Sequence, residues 1–426
     1  MQGDEPCLHV QFWQNLSKAS VGLGISQVRY VIQFTMNSFR SFQVPAAAGL
    51  DVGISVDSTW RPPGEIILFL EEVLRQAGSY FSGWQRTLFT CQLLQLQTEK
   101  HGSLDVRSLS AEAAKEVRRF GKNLLKETHN RSDLLLWDAY IRNEWACGRS
   151  KDATSMLQTA LTMFTSSIMS EDHAGMAGLY SLYRTMAEIN LNFTPTELVQ
   201  LTGRKPSPSV ECKNRVVNYF ICLMDAAKFS VASIEAVPAA QILRTRRKFQ
   251  GILAGLISNI VNLIISSSVK LHVVQLVNCF SLFELCAVGV AGSLQVFDSA
   301  FELCTIASQK ADCSQVRKAL QDLEQDLTLN LLSLLKNYMT VEAMSLGQFR
   351  SRLDMALTRF PDNPSLLRQL VDLESKTCIV GRLRRFFESA TVEPASVYPV
   401  MFEVLAEMSR HAKLLRASTA QTYEGR

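Results

Sequence analysis

The sequence lacks the residue spacings that metal, nucleotide and common catalytic sites require. Its 426 residues contain no CxxC pair, no HExxH, no GxSxG and no GxxxxGK[ST]. GLGISQ at 22–27 begins like a dinucleotide-binding loop, but Gln27 stands where the third glycine is needed. The six histidines lie far apart in the chain: His9, His101, His129, His173, His272 and His411. The sequence therefore predicts a protein that is not an enzyme and has no metal site and no cofactor.

Neither a strong excess of one charge nor a disulfide framework is present. The 44 Lys and Arg residues against 40 Asp and Glu give a net charge of +4, far below that of a dedicated nucleic-acid binder. The 10 cysteines are scattered, which is typical of reduced, buried residues. The first residues include acidic side chains and no uninterrupted apolar core, so we predict no secretory signal and a location in the cytosol or nucleus.

One long run without charge does occur, at 251–269. Its nineteen residues reach the length of a membrane span. Ser258, Asn259 and Asn262 lower its hydrophobicity, and the basic RTRRK precedes it. We predict a helix buried on all sides within a helical array, and no membrane.

The strongest local pattern lies at 132–164, which predicts two helices hinged at a glycine. Ser132 or Asp133 can cap the first helix, and Gly148 can end it. Apolar residues recur every three or four positions: Leu134, Trp137, Ile141 and Trp145, then Ala153, Leu157, Ala160, Leu161 and Phe164. Such a pair cannot bury its apolar faces alone and is the unit of a helical repeat array.

Copies of this unit recur along the chain. The interval from Glu144 to Ala160 is repeated from Glu284 to Ala300 and from Glu374 to Ala390. Matching apolar positions precede and follow each glutamate: Trp137, Val277 and Leu367 before it, and Leu157, Phe297 and Phe387 after it. The small alanine suits a close helix crossing. The sequence therefore predicts an all-α fold, an α-solenoid of stacked HAT/TPR-like helix pairs.

The three glutamates have two possible roles. They could present an acidic groove, or they could accept hydrogen bonds from a neighbouring helix or an arginine. Because they recur together with apolar packing positions, we favour the structural role. Trp137 and Trp145 are likewise predicted to be packing residues.

Two basic clusters are candidate contacts for RNA or for a protein partner. They are Arg244, Arg246, Arg247 and Lys248, and Arg382, Arg384 and Arg385. Both also fit a solvated helix face. Phe386 and Phe387 follow the second cluster, but neither cluster contains an aromatic stacking platform, so RNA contact would be weak.

The predicted array extends over 65–415. Residues 1–64 carry Gly and Pro breakers and are predicted to form either a cap or an irregular segment outside the array, and 416–426 a polar tail. Gly203, Pro206 and Pro208 predict an internal loop at 202–210.

Several residues together resemble a known family. Those of the first helix pair look like a half-a-TPR (HAT) repeat: Trp137, Tyr140, Glu144, Trp145, Gly148, Ala160 and Leu161. The amino-acid sequences of 134–161 and 360–390 resemble the nuclear-RNAi-defective family, also called the necessary-for-RNA-interference family. Members are larger nuclear proteins with an N-terminal low-complexity segment and a region that engages the exosome-associated RNA helicase. Nothing here resembles those parts, so the resemblance implies a C-terminal fragment or short isoform and assigns helicase binding to no residue.

The function that the resemblance implies is a non-catalytic scaffold. It would act in nuclear RNA processing, RNA silencing or the regulation of RNA decay, through contacts with nuclear RNA-processing proteins. Two alternatives stay open: direct RNA binding through the basic clusters, and a cytosolic TPR-type adaptor.

Overall fold

A computed structural model describes residues 64–100, 111–164, 172–193, 207–227, 229, 236–262, 267–341, 344–377, 382–383 and 385–387. Across these ranges the regular structure is helical and contains no strand, which confirms the all-α fold class. Residues 1–63, most of the predicted loop at 202–210 and the predicted tail at 416–426 lie outside them.

The helices follow one another in the order α1 Gly64–Tyr80, α2 Gly83–Lys100, α3 Ala111–Lys126, α4 Leu134–Ala146, α5 Ser150–Phe164, α6 His173–Asn190, α7 Val210–Met224, α8 Ala239–Asn262, α9 Ser267–Ala287, α10 Val290–Lys310, α11 Ser314–Val341, α12 Leu346–Arg359 and α13 Pro364–Thr377. They divide between two compact units. The first unit holds α1 to α11, and the second holds α12 and α13.

The ends of the helices follow from local side chains. Asp133 is the N-cap of α4, and its carboxylate accepts from the backbone N–H of Leu135 (3.1 Å) and Leu136 (3.3 Å). Gly148 ends the same helix with φ +80°, a conformation that costs glycine little. In the second unit, Ser345 and Gln348 form a reciprocal capping box at the start of α12.

In the first unit, helices pack against their neighbours in sequence and also against helices two or three places further along the chain. The contacts α2–α4 and α4–α6 continue as α6–α9 and α9–α11, while α1, α3, α5 and α10 each pack beside a member of this series. Contacts between adjacent helix pairs of this kind are those of an α-helical repeat array. The solenoid prediction is confirmed, whereas the specific HAT assignment stays a prediction.

Helix α9 is the centre of the first unit. It is packed by α6, α7, α8, α10 and α11. Its segment Ser268–Ala287 has a mean hydropathy of 1.3. Among the described helices, this is the one that is long and apolar enough to cross a membrane, judged by length and composition alone. Because 89% of this segment is buried inside the structure, packing accounts for its apolar character.

The uncharged run at 251–269 is not one helix buried on all sides, so that prediction is wrong. Helix α8 ends at Asn262, and α9 begins at Ser267. In α8 the buried residues are Leu253, Leu256 and Ile257. Gly251 and Gly255 lie on the exposed face, where a Cβ atom would meet nothing within 4 Å. The run lacks charge, but glycine and serine give it a polar face and hence an ordinary amphipathic helix.

Glycines at a helix crossing and on a free helix face should respond oppositely to alanine. At Gly178 of α6, a Cβ would lie 2.6 Å from Leu134 Cβ and 3.2 Å from the Leu135 nitrogen. Gly178→Ala should therefore destabilise the protein by on the order of 1–3 kcal/mol, because α4 and α6 must separate. Gly255→Ala should stabilise it by about 0.5–1 kcal/mol through helix propensity. Urea denaturation measures both, and a stabilising Gly178→Ala would contradict the close crossing.

Candidate functional site

The three repeated glutamates occupy equivalent places, near the C-terminal ends of α4, α9 and α13. Their side chains are buried: Glu374 is 0% exposed, Glu144 3% and Glu284 4%. Each carboxylate is paired with an arginine of the preceding helix. We call these three pairs the Arg–Glu junctions: Arg118–Glu144, Arg246–Glu284 and Arg350–Glu374.

Two junctions are bidentate. Arg246 Nε and Nη2 donate to Glu284 Oε1 and Oε2 at 2.6 and 2.7 Å, and Arg350 Nε and Nη2 donate to Glu374 at 2.9 and 3.0 Å. The side-chain hydrogen bond to Glu284 raises the pKa of Arg246 above its ordinary value. Parallel N–H···O bonds of this kind fix both partners in one geometry.

The Arg118–Glu144 junction is looser and has more partners. Arg118 Nε lies 3.3 Å from Glu144 Oε1, which also accepts from the Tyr140 hydroxyl at 2.9 Å. Arg149 Nη1 approaches Glu144 Oε2 at 3.4 Å. Burial and the neighbouring Glu144 carboxylate raise the pKa of Tyr140, so it acts as a hydrogen-bond donor. These contacts support a packing role for the glutamates, since an acidic groove needs accessible carboxylates.

The structure adds a fourth glutamate that the sequence reasoning missed, Glu188 at the end of α6. Its carbonyl accepts from the N–H five residues later, at 3.0 Å from Phe193, as the carbonyls of Glu144 and Glu284 do from Arg149 and Gly289. Four residues after Glu188, Asn192 has φ +56°, matching Gly148 after Glu144. Asn tolerates this conformation. A search for Glu followed four positions later by Gly or Asn could have found it.

Glu188 joins a polar network that links four helices of the first unit. Arg142 of α4 bridges Asp138 (2.9 Å) and Glu188 (2.8 Å), and Arg184 bridges Glu188 (2.7 Å) and Asn330 of α11 (3.2 Å). The Asn278 amide of α9 also donates to Asn330, at 3.0 Å. Burial alone would raise the pKa of Glu188, but Arg142 and Arg184 outweigh it and hold that pKa below its ordinary value. The network stabilises an ionised carboxylate and offers no proton for catalysis at neutral pH.

A histidine pair joins α6 and α9, in which His272 is buried and His173 half-buried. The Nδ1 atoms of His173 and His272 are 3.1 Å apart, so one donates a hydrogen bond and the other accepts it. The Tyr180 ring stacks on His272 with ring centroids 5.2 Å apart. Burial, and then the charge of His173, lower the pKa of His272 to about 4. The pair gains no further ligands: the described residues contain no group of three or more metal-ligating side chains.

Mild acid should destabilise the first unit through His272. In the unfolded chain a histidine has a pKa of about 6.5, whereas the folded His272 becomes protonated only near pH 4. The contribution of neutral His272 to the free energy of unfolding is therefore complete above pH 6.5 and is lost as the pH falls toward 4. We expect His272→Phe to flatten the fall in unfolding free energy between pH 6.5 and 5, measured by urea denaturation. Equal slopes for His272→Phe and the parent chain would contradict this.

The first basic cluster does not form a continuous cationic surface. Arg246 is bound to Glu284, and Lys248 Nζ contacts Asp225 Oδ1 at 2.6 Å and the Met224 carbonyl at 3.2 Å. Arg244 and Arg247 are exposed and form no ion pair with a described residue. The cluster is thus divided between ion pairs within the unit and two free guanidinium groups.

The second cluster is divided in the same way. Arg382 Nη2 contacts Asp354 at 2.6 Å, and its Nε lies 3.2 Å from Glu374. Arg385 is exposed, and Arg384 lies outside the described residues. The pairing of Arg382 with two carboxylates lowers the positive charge that this cluster offers to RNA.

The apolar positions that recur around each glutamate lie in the core, with one exception. Buried members are Leu157, Phe297 and Phe387, Val277 and Leu367, Ala160 and Ala300, and also Trp145; Ala390 lies outside the described residues. Trp137 is only half-buried, and its indole N–H donates to the Arg131 carbonyl at 2.9 Å. The packing role of Trp137 therefore stays a prediction, since its indole reaches the loop before α4.

Comparisons with known proteins give two relatives of the same kind. The chain is 26% identical over 301 residues to the nuclear exosome regulator NRDE2 of Mus musculus, covering 70% of this chain and 24% of that protein. It is 26% identical over 371 residues to the nuclear exosome regulator NRDE2 of Homo sapiens, covering 84% of this chain and 30% of that protein.

The chain thus spans 24% to 30% of the length of these curated relatives. No protein-family model and no solved structure matches it. Both relatives are nuclear-RNAi-defective proteins, and the resemblance of this chain to that family is confirmed.

Proposed function

We propose that the chain is a non-catalytic helical scaffold that holds protein partners in the regulation of nuclear RNA decay. The observation that carries this proposal is the similarity of 84% of the chain to a protein named a nuclear exosome regulator. What that name says belongs to a longer protein, so the nuclear location and the exosome-related role are proposed for this chain.

The geometry supports a scaffold. Catalysis needs polar groups that converge where a substrate can reach them. Here the buried carboxylates of Glu144, Glu188, Glu284 and Glu374 are paired with arginines between helices of the same unit. An array whose polar interior is used for packing leaves its exposed helix faces for partners.

The partners that we propose are nuclear RNA-processing proteins. The exosome-associated helicase is a partner of the family, but no described residue is assigned to it. Direct RNA binding through the two predicted clusters is less supported, since Arg246, Lys248 and Arg382 are engaged in ion pairs. A role in RNA silencing remains part of the proposal through the family resemblance alone.

Proximity labelling in cells tests the proposal. The chain fused to a biotin ligase should be found in the nucleus and should label exosome components and RNA-processing proteins above a nuclear ligase control. Exclusion from the nucleus, with labelling of cytosolic proteins, would overturn the proposal in favour of a cytosolic adaptor.

A further inference from the structure

Helix α3 carries a row of basic side chains that the proposed scaffold function does not use. Lys115, Arg119, Lys122 and Lys126 recur at helical spacing, and all four are exposed. Arg131 extends the row beyond the helix, because its Nε donates to the Lys126 carbonyl at 3.1 Å. We call these five residues the α3 basic row; at about 1.5 Å per residue, its helical part is ~17 Å long.

The acidic residues around the row neutralise it only in part. Glu112 pairs with Lys115, and Asp152 lies 3.5 Å from Arg118, on the side of α3 that faces α5. Glu127 is hydrogen-bonded to Asn130 and lies 3.1 Å from His129. Arg119, Lys122 and Lys126 form no ion pair with a described residue. Attraction to the helix C-terminus accounts for Lys126 but not for cations in the middle of α3.

The composition of this face favours a charged polymer over a protein partner. Apart from the cations, the exposed residues of α3 are Ala111, Glu112 and Asn123. Of its large apolar residues, Val117, Leu124 and Leu125 are buried, and the half-buried Phe120 ring is covered by the Arg75 guanidinium at 5.7 Å. Protein interfaces are built on a buried apolar centre and are depleted in lysine. A row of lysine and arginine without such a centre is what phosphate contacts require.

We infer that the α3 basic row binds the phosphate backbone of single-stranded RNA without sequence preference. Each cation neutralises one phosphate and releases a counterion. The surface would hold the RNA substrate of the decay machinery beside the proteins that the array holds. It is separate from the Arg244–Lys248 and Arg382–Arg385 clusters.

A matched pair of variants tests this inference. The row variant is Arg119→Gln/Lys122→Gln/Lys126→Gln, and the control is Lys310→Gln/Arg317→Gln/Lys318→Gln, which removes three exposed cations elsewhere in the first unit. Glutamine keeps high helix propensity, and circular dichroism checks that both variants fold. The probe is a fluorescein-labelled polyuridine oligonucleotide, followed by anisotropy at salt concentrations between about 50 and 200 mM.

For the parent chain, affinity should fall steeply with salt. The row variant should bind at least tenfold more weakly at low salt, with a log–log salt slope shallower by about 2, whereas the control should keep the parent slope. An equal loss in both variants would overturn the inference in favour of net charge alone. Absence of salt-sensitive binding by the parent chain would overturn the inference too. Displacement of polyuridine by polyglutamate at equal charge would also overturn it, and would assign the row to an acidic protein. None of these results depends on the nuclear labelling that tests the scaffold.

Discussion

Arg246→Met should destabilise the first unit by about 3–5 kcal/mol, because it leaves the Glu284 carboxylate buried without its cation. The methionine keeps an apolar stem of similar reach, so the loss reports on the charge and not on packing. The fall should appear as a lower midpoint in urea denaturation followed by circular dichroism.

Two companion variants make this result specific. Arg247→Met removes the exposed arginine beside it and should change stability by less than about 0.5 kcal/mol. Arg246→Met/Glu284→Leu removes both charges and should recover most of the stability, since an apolar pair avoids the desolvation penalty. If Arg246→Met were no more damaging than Arg247→Met, the junction would not hold α8 against α9.

Phe297→Ala should lower the free energy of unfolding by about 3–5 kcal/mol, since this ring is 0% exposed. Its loss leaves a cavity at the repeated apolar position that α10 contributes. On the same helix, Ile306 is 40% exposed, so Ile306→Ala should change stability by less than about 0.5 kcal/mol. Comparable losses at both positions, measured by urea denaturation, would contradict the placement of the packing column.

The helix pair at 132–164 could be predicted closely from the sequence. Its first helix runs over Leu134–Ala146 and its second over Ser150–Phe164, with Asp133 as the cap and Gly148 as the hinge. This succeeded because caps, a glycine with positive φ and 3.6-residue periodicity are local signals. The repeated glutamate and apolar positions could be recognised for the same reason, since the spacing within a helix pair is set by helix geometry and one short loop.

The arginines of the junctions could not be found in that way. Arg246 and Glu284 are 38 residues apart, whereas Arg350 and Glu374 are 24 apart, because the helices that carry the first pair are longer than those that carry the second. With no constant spacing to pair them, the sequence predicts an RNA or partner contact for Arg246 and assigns no role to Arg350. Which face of a helix is covered is also a tertiary property, as the half-buried Trp137 and the exposed Gly255 show.

The central claim is that the chain acts by holding proteins rather than by being tethered to RNA. The most direct measurement is affinity purification of the tagged chain from nuclear extract, with and without nuclease, followed by mass spectrometry. We expect exosome-related and RNA-processing proteins to remain bound after nuclease treatment. Loss of all of them on nuclease treatment would contradict the scaffold and leave RNA as the link between this chain and the decay machinery.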